Sequence, residues 1–167
     1  ALHHSKYKEN LLNFDPIENP IALQIGGDNP TLLAEAAKLG EEWGYDEINL
    51  NVGCPSPRVK AGNFGASLMA QPKTVASCIE SMAKSCNIPV TIKHRIGIDN
   101  LDNHFLLKSF VDDISKAGAE RFSIHARKAW LNGLSPKENR TIPPLEYERV
   151  VKLKNERPDL IIELNGG

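Results

Sequence analysis

What the chain lacks narrows its function before any motif is read. Its three cysteines, Cys54, Cys78 and Cys86, are odd in number and show no CxxC spacing. Neither a disulfide framework nor a metal site is indicated, and a reducing cytoplasm is the compartment that fits. No apolar run approaches the roughly 20 residues of a membrane span. The start, Ala1-Leu2-His3-His4-Ser5-Lys6, has no apolar core of a signal peptide. Charge of one sign is missing too: 20 Lys and Arg stand against 21 Asp and Glu, a net charge of -1. That excludes coating a nucleic acid through bulk charge, while a local basic face stays open. With 41% hydrophobic and 25% charged residues in 167, the chain has the composition of one folded domain with a core.

A β-α order repeats along the chain. Five apolar runs read as strands: 21–25, 47–50, 88–93, 121–125 and 160–164. The segments between them repeat at helical spacing: from Asn29-Pro30 to Gly44, Lys73 to Ser85, Asn103 to Lys116 and Leu145 to Arg157. Asn29 followed by Pro30 reads as a cap and first turn. A short helix from Ser5 to Asn13, capped by Ser5, precedes them. The apolar faces expected are Leu32, Leu33, Ala36 and Ala37; Val75, Ile79 and Met82; Phe105, Leu106, Phe110, Val111 and Ile114; Val150, Val151 and Leu153. Alternation of this kind demands a parallel sheet with right-handed crossovers, either an open doubly wound sheet or a (β/α) barrel. The Gly-rich phosphate turn of a dinucleotide-binding fold, GxGxxG after the first strand, is absent, and Gly26-Gly27 is not that motif. A complete barrel needs about 250 residues. The expectation is therefore a partial (β/α)8 TIM barrel, about strands two to six, an incomplete ring.

Polar side chains recur where a core is expected. Strand alternation puts Gln24 with Ala22; Glu47 and Asn49 with Asn51; Thr91 and Lys93 with Arg95; and Ser123 and His125 with Arg127. Most fall at the C-terminal ends of their strands, where (β/α) barrels gather functional groups. Each has an ordinary alternative: Gln24 bonded to backbone, His125 a satisfied core histidine, Lys93 reaching out to solvent. Four strands with the same placement weigh against coincidence. Cys54 sits in a stiff turn, Asn51-Val52-Gly53-Cys54-Pro55-Ser56-Pro57, where Gly53 is expected to supply special backbone angles. It reads either as a small buried hydrophobe or as a placed thiol. A cysteine with an ordinary pKa of about 8.5 can donate a proton as readily as attack.

Gln24 suits the edge of a heterocyclic imide, Lys93 an anionic ring, and the backbone N–H groups of Asn165-Gly166-Gly167 a phosphate. A flavin mononucleotide and a carbon acid form a coherent pair for this set. The loops add basic groups: Arg58 and Lys60 with no acid between 51 and 66, and Arg127, Lys128, Lys137 and Arg140 against only Glu138 between 127 and 140. With Arg95 they form a basic rim suited to an anionic polymer.

Two runs carry a resemblance. Asn51-Val52-Gly53-Cys54-Pro55 followed by Gly62-Asn63-Phe64-Gly65-Ala66-Ser67-Leu68-Met69 resembles the signature of the tRNA-dihydrouridine synthases. Thr91 to Gly97 and Ile124 to Arg127 stand where that family has its lysine and histidine, and His125 to Arg140 is similar to the A-type subfamily. The resemblance implies an FMN-dependent TIM barrel with a C-terminal helical domain. Its reaction reduces a uridine of the tRNA D-loop to 5,6-dihydrouridine: hydride from reduced FMN reaches C6, a proton from a cysteine reaches C5, and NADPH reloads the flavin. Carried over by motif, Cys54 is the proton donor. Gln24, Lys93, His125, Asn165, Gly166 and Gly167 contact FMN, and Asn51, Lys137 and Arg140 touch tRNA. Arg95 helps hold the uracil or the flavin. Residues 1–167 would then be part of the catalytic barrel, with the first strand, the last strands and the helical domain absent. The full protein is expected to be cytoplasmic and monomeric. The rival expectations are a dihydroorotate-dehydrogenase-like FMN reductase of free pyrimidines and an inactive fragment of the barrel.

Overall fold

A computed structural model of the chain describes residues 5–56, 62 and 64–167, with side chains from residue 9 onward. Arg58 and Lys60 of the expected basic rim, and Asn63 of the signature, lie outside the described residues, as does the Ser5 side chain; Ser5 itself stands inside the first helix.

The five strands are β1 (Ala22–Ile25), β2 (Glu47–Val52), β3 (Val90–Arg95), β4 (Arg121–His125) and β5 (Ile161–Asn165). They alternate with α1 (Ser5–Leu12), α2 (Pro30–Glu42), α3 (Pro72–Ala83), α4 (His104–Lys116) and α5 (Tyr147–Glu156), α1 preceding β1. Asn29 accepts from Leu32 N at 3.1 Å and Asn103 from Leu106 N at 2.9 Å, so short polar side chains set the starts of α2 and α4. β3 runs later than its apolar run suggests. Ile88 and Pro89 stay outside it, and pairing with both neighbours carries it on to Arg95. Gly65–Ala70, within the stretch read as motif and loop, is a 3-10 helix.

All pairings are parallel, and the spatial order β1-β2-β3-β4-β5 repeats the chain order. A doubly wound sheet reverses its order part-way and covers both faces with helices. A monotonic order with right-handed crossovers keeps all helices on one face. The arc is part of a (β/α) barrel, and among the described residues β1 and β5 each have one neighbour.

The core lies between the sheet and the helices. Ile48, Leu50, Val52, Ile92, Phe122 and Ile124 meet Val75, Cys78, Ile79 and Met82 of α3 and Leu107, Phe110, Val111 and Ile114 of α4. Three expected faces shift, and Leu106 as well as Phe105 turns outward on α4. Phe105 is 76% exposed and Leu107 takes its place, because 107, 110, 111 and 114 follow the helical repeat and 105 does not; likewise Val151 faces solvent. Leu32 is also exposed. Among the described residues no helix is long and apolar enough to cross a membrane.

His94 belongs to this core. It is fully buried between Phe110 and Phe122, with ring centroids 5.2 and 6.1 Å away. Its Nδ1 lies 2.7 Å from the Arg95 carbonyl, and its Nε2 has no partner. Burial pushes its pKa down to about 4, opposed by the bond to Arg95. The unfolded chain, with a His pKa near 6.5, therefore takes up the proton first. The neutral ring's full contribution to stability is present above pH 6.5 and is lost as pH falls from there towards 4, by about 2 kcal/mol at pH 5. Urea unfolding at pH 7 and pH 5 is expected to show a smaller loss of stability in His94→Leu than in the parent; equal losses would remove His94 as the source.

Candidate active site

Register converts strand alternation into rows on the inner face. Gln24, Asn49, Thr91 and Arg121 stand in one row, Asn51, Lys93, Ser123 and Glu163 in the next, and Arg95, His125 and Asn165 above them. The rows are bonded to one another. Gln24 donates to Asn49 Oδ1 at 2.8 Å, and Asn49 donates to Thr91 Oγ1 at 2.8 Å. Thr91 donates to Glu47, and Glu47 pairs with Arg121, which reaches Glu163 at 3.2 Å. Lys93 Nζ donates to Asn165 Oδ1 at 3.0 Å.

Above the rows opens a cleft of about 560 Å³, within the usual size of a ligand site. Asn51, Cys54, Lys93, Arg95, His125, Arg140 and the segment Asn165 to Gly167 line it. Gln24 and Lys137 do not. Gln24 lies one step away, accepting from Asn51 Nδ2 at 3.1 Å, and Lys137 is exposed on the loop that carries Arg140.

The thiol turn is held on every side. Asn51 Oδ1 accepts from Gly53 N at 3.0 Å and Cys54 N at 3.1 Å. Ala66 N donates to Cys54 O at 2.9 Å. Gly53 does not have a left-handed backbone, and a Cβ there would make ordinary contacts at 3.5 Å. The turn is set by these bonds and by Pro55, not by glycine's freedom. That freedom is used at Gly166, whose φ is 111° and where a Cβ would stand 2.8 Å from His125 Cδ2. Cys78, by contrast, is a core residue whose thiol burial, with Asp28, pushes up to about 11.

The cleft is positive. Burial lowers the Lys93 pKa, and Arg95 adds to this while Glu163 opposes it. His125 is pushed down to about 4, first by burial and then by Arg95, Lys93, Arg127 and Arg140, so its ring is neutral near pH 7. His125 Nε2 is buried without a partner beside Gly166. A weak acid on a fixed turn, a cation and a neutral imidazole thus face one volume.

The rim is thinner than the charge pattern suggests. Arg127 donates to Pro143 O. Lys128 pairs with Asp102 at 2.7 Å and lies over the Trp130 ring at 4.2 Å. Arg95 is 3% exposed and engaged with three backbone carbonyls. Lys137 and Arg140 remain exposed. Sequence reasoning did not single out Asn139, which is fully buried and accepts from Trp130 N at 2.8 Å while donating to Trp130 O at 2.9 Å. Nor did it find the Glu47–Arg121–Glu163 cluster. Strand alternation marks Glu47, but only pairing across strands reveals its partners.

Comparison with solved structures finds phosphoenolpyruvate phosphomutase of Streptomyces platensis subsp. rosaceus, at a TM-score of 0.56 and 19% identity, over 97% of this chain and 53% of that one. That likeness speaks for the fold alone. Curated relatives are much closer in sequence. The tRNA-dihydrouridine(20/20a) synthase of Synechocystis sp. is 64% identical over 160 residues, 96% of this chain and 48% of the relative. Those of Haemophilus ducreyi and Pasteurella multocida are 59% and 57% identical over the whole chain and cover 51% and 50% of themselves. The chain spans about half the length of the curated relatives it matches. The family model described as dihydrouridine synthase matches residues 1–167, and with the strand-end thiol, lysine and histidine gathered in one cleft, the chain belongs to the dihydrouridine synthase family.

Proposed function

We propose that the protein reduces a uridine of the tRNA D-loop to 5,6-dihydrouridine, with FMN as cofactor and NADPH as the reductant that reloads it. The observation that carries this reading is the convergence of Cys54, Lys93, His125 and Arg140 on the cleft closed by Asn165, Gly166 and Gly167. The relatives matched are tRNA-dihydrouridine(20/20a) synthases by name. The rest of the barrel and a helical domain that grips tRNA belong, in this reading, to the half of those relatives that the chain does not match. The whole protein then acts as a cytoplasmic monomer.

The residues present fit a flavin phosphate ester. Gly166 leaves room where a Cβ would collide with His125, the buried Nε2 of His125 lacks a partner, and Lys93 brings a half-buried ammonium. Lys93, His125 and Gln24 would hold the ring system, and Asn165, Gly166 and Gly167 its phosphate end. When bound, reduced FMN supplies hydride to uracil C6.

Saturating C6 leaves carbanion character at C5, because the C4 carbonyl is conjugated with that bond. Cys54 Sγ–H holds the proton that C5 needs, on a turn fixed by Asn51 and Arg95. The base must leave the RNA stack at a cost of a few kcal/mol. Exposed Lys137 and Arg140 suit the phosphates that flank it, and Asn51 borders the pocket that would receive it.

Three outcomes are expected of the complete enzyme. Cys54→Ala retains flavin and binds tRNA but loses about 10²–10⁴-fold in turnover, the usual contribution of a positioned acid; single-turnover assays showing full activity would remove the thiol from the reaction. Lys137→Ala with Arg140→Ala weakens tRNA binding and flattens log Kd against log salt by about 1.5, read by filter binding across a salt series. Gly166→Ala strains the backbone and displaces His125, lowering flavin affinity about tenfold, read by fluorescence quenching on FMN titration.

A further inference from the structure

From β3, the Arg95 side chain reaches both the thiol turn and the 127–140 loop. Its Nε donates to Gly53 O at 3.0 Å, behind the thiol. Its Nη1 donates to Lys128 O at 3.1 Å and Asn139 O at 2.8 Å, both in the loop that presents Lys137 and Arg140. Burial lowers its pKa to about 10, and it remains charged at neutral pH. A buried guanidinium is costly unless its donors are satisfied, and here carbonyls satisfy Nε and Nη1. The bonds are not equivalent to what a lysine could make: a planar fork reaches several acceptors in fixed directions, and an ammonium is a point charge.

Each of the two segments that Arg95 joins has hydrogen bonds of its own, and Ala66, Ile98 and Ala129 make an apolar contact between them. Asn51 and Ala66 hold the remaining polar groups of Gly53 and Cys54. Asn139 closes the loop on itself through Trp130, Leu134 and Ser135. The loop's far side is anchored by Lys128 to Asp102 and by Asp99 Oδ1, which accepts from Leu131 N at 2.9 Å.

We propose that Arg95 is a positioning residue that couples the Cys54 turn to the basic 127–140 loop, so that the seat for RNA and the placement of the thiol form one mechanical unit. It deepens the reading given under Proposed function and rests on it for its functional meaning. A misplacement of about 1 Å at a reacting group can cost 10²-fold in rate, which sets the scale of what such a strut protects.

The test is hydrogen exchange followed by mass spectrometry on the whole protein, without flavin or RNA. Arg95→Lys keeps the charge and loses the fork. Peptides covering 47–56 and 127–140 are expected to exchange at least about tenfold faster together, as loss of about 1.4 kcal/mol of local protection requires, while peptides of α3 keep their rates. In Arg95→Ala, methylguanidinium restores protection to both segments and ammonium does not. Asn139→Ala offers an independent route: it speeds exchange of 47–56 when Arg95 is present and adds nothing in the Arg95→Lys background. Unchanged exchange of 47–56 in these variants, or loosening of only one segment, overturns the coupling. Loss of flavin or tRNA binding with both segments still protected overturns it in favour of direct ligand contact. Because the exchange is read without substrate, failure of the uridine-reduction reading would show in turnover assays and leave this outcome untouched.

Discussion

Hydrogen bonding across the inner face of the sheet is the constraint on which the site depends. A parallel sheet covered by helices on one side must do something with the other, and here that other side is polar. An unbonded polar group in such a place costs about 1–3 kcal/mol. The chain from Gln24 through Asn49, Thr91 and Glu47 to Arg121 and Glu163 answers that cost with partners drawn from every strand. The groups at the strand ends inherit fixed positions from the rows beneath them. Lys93 leans on Asn165, and Asn51 divides itself between Gln24 and the thiol turn.

Much of this was legible in the chain. Period-two alternation assigned the polar faces of β1 to β4, because a parallel strand cannot hide a lysine or arginine among apolar neighbours without a partner. The helical faces were legible in part: Phe110, Val111 and Ile114 are buried as expected, whereas Phe105 and Leu106 were named where Leu107 satisfies the repeat. What alternation does not carry is register. Only pairing brings Arg121 beside Glu47, residues 74 positions apart by their numbers. The fate of loop cations was equally hidden. Arg127 and Lys128 read as a rim, yet they are fastened to Pro143 and Asp102, partners that no local pattern nominates.

Cys54 and Cys78 show how place decides chemistry for one side chain. Cys78 points from α3 into the core, where burial disfavours the thiolate and the Asp28 carboxylate adds to this. Cys54 stands just past the end of β2, half-buried, with its peptide groups bonded and its side chain in the cleft. The difference comes from strand termination: Val52 completes the apolar layer, and the next residues are turned by Asn51 before another layer begins.

Alternation also governs which changes of length the arc can tolerate. Lys93 faces the cleft and His94 the core because they are adjacent, and adjacent strand residues point to opposite sides. Removing one residue between Val90 and Lys93 while the far end of β3 kept its phase would be absorbed upstream. If the near end kept its phase instead, Lys93 would take the buried place of Ile92, His94 would turn into the cleft, and Arg95 would be driven between Phe110 and Phe122. Evolution can therefore exchange side chains along these strands one at a time, but insertions and deletions must be accommodated in the connections. The strands behave as words with fixed spelling, and the loops as the spaces that stretch between them.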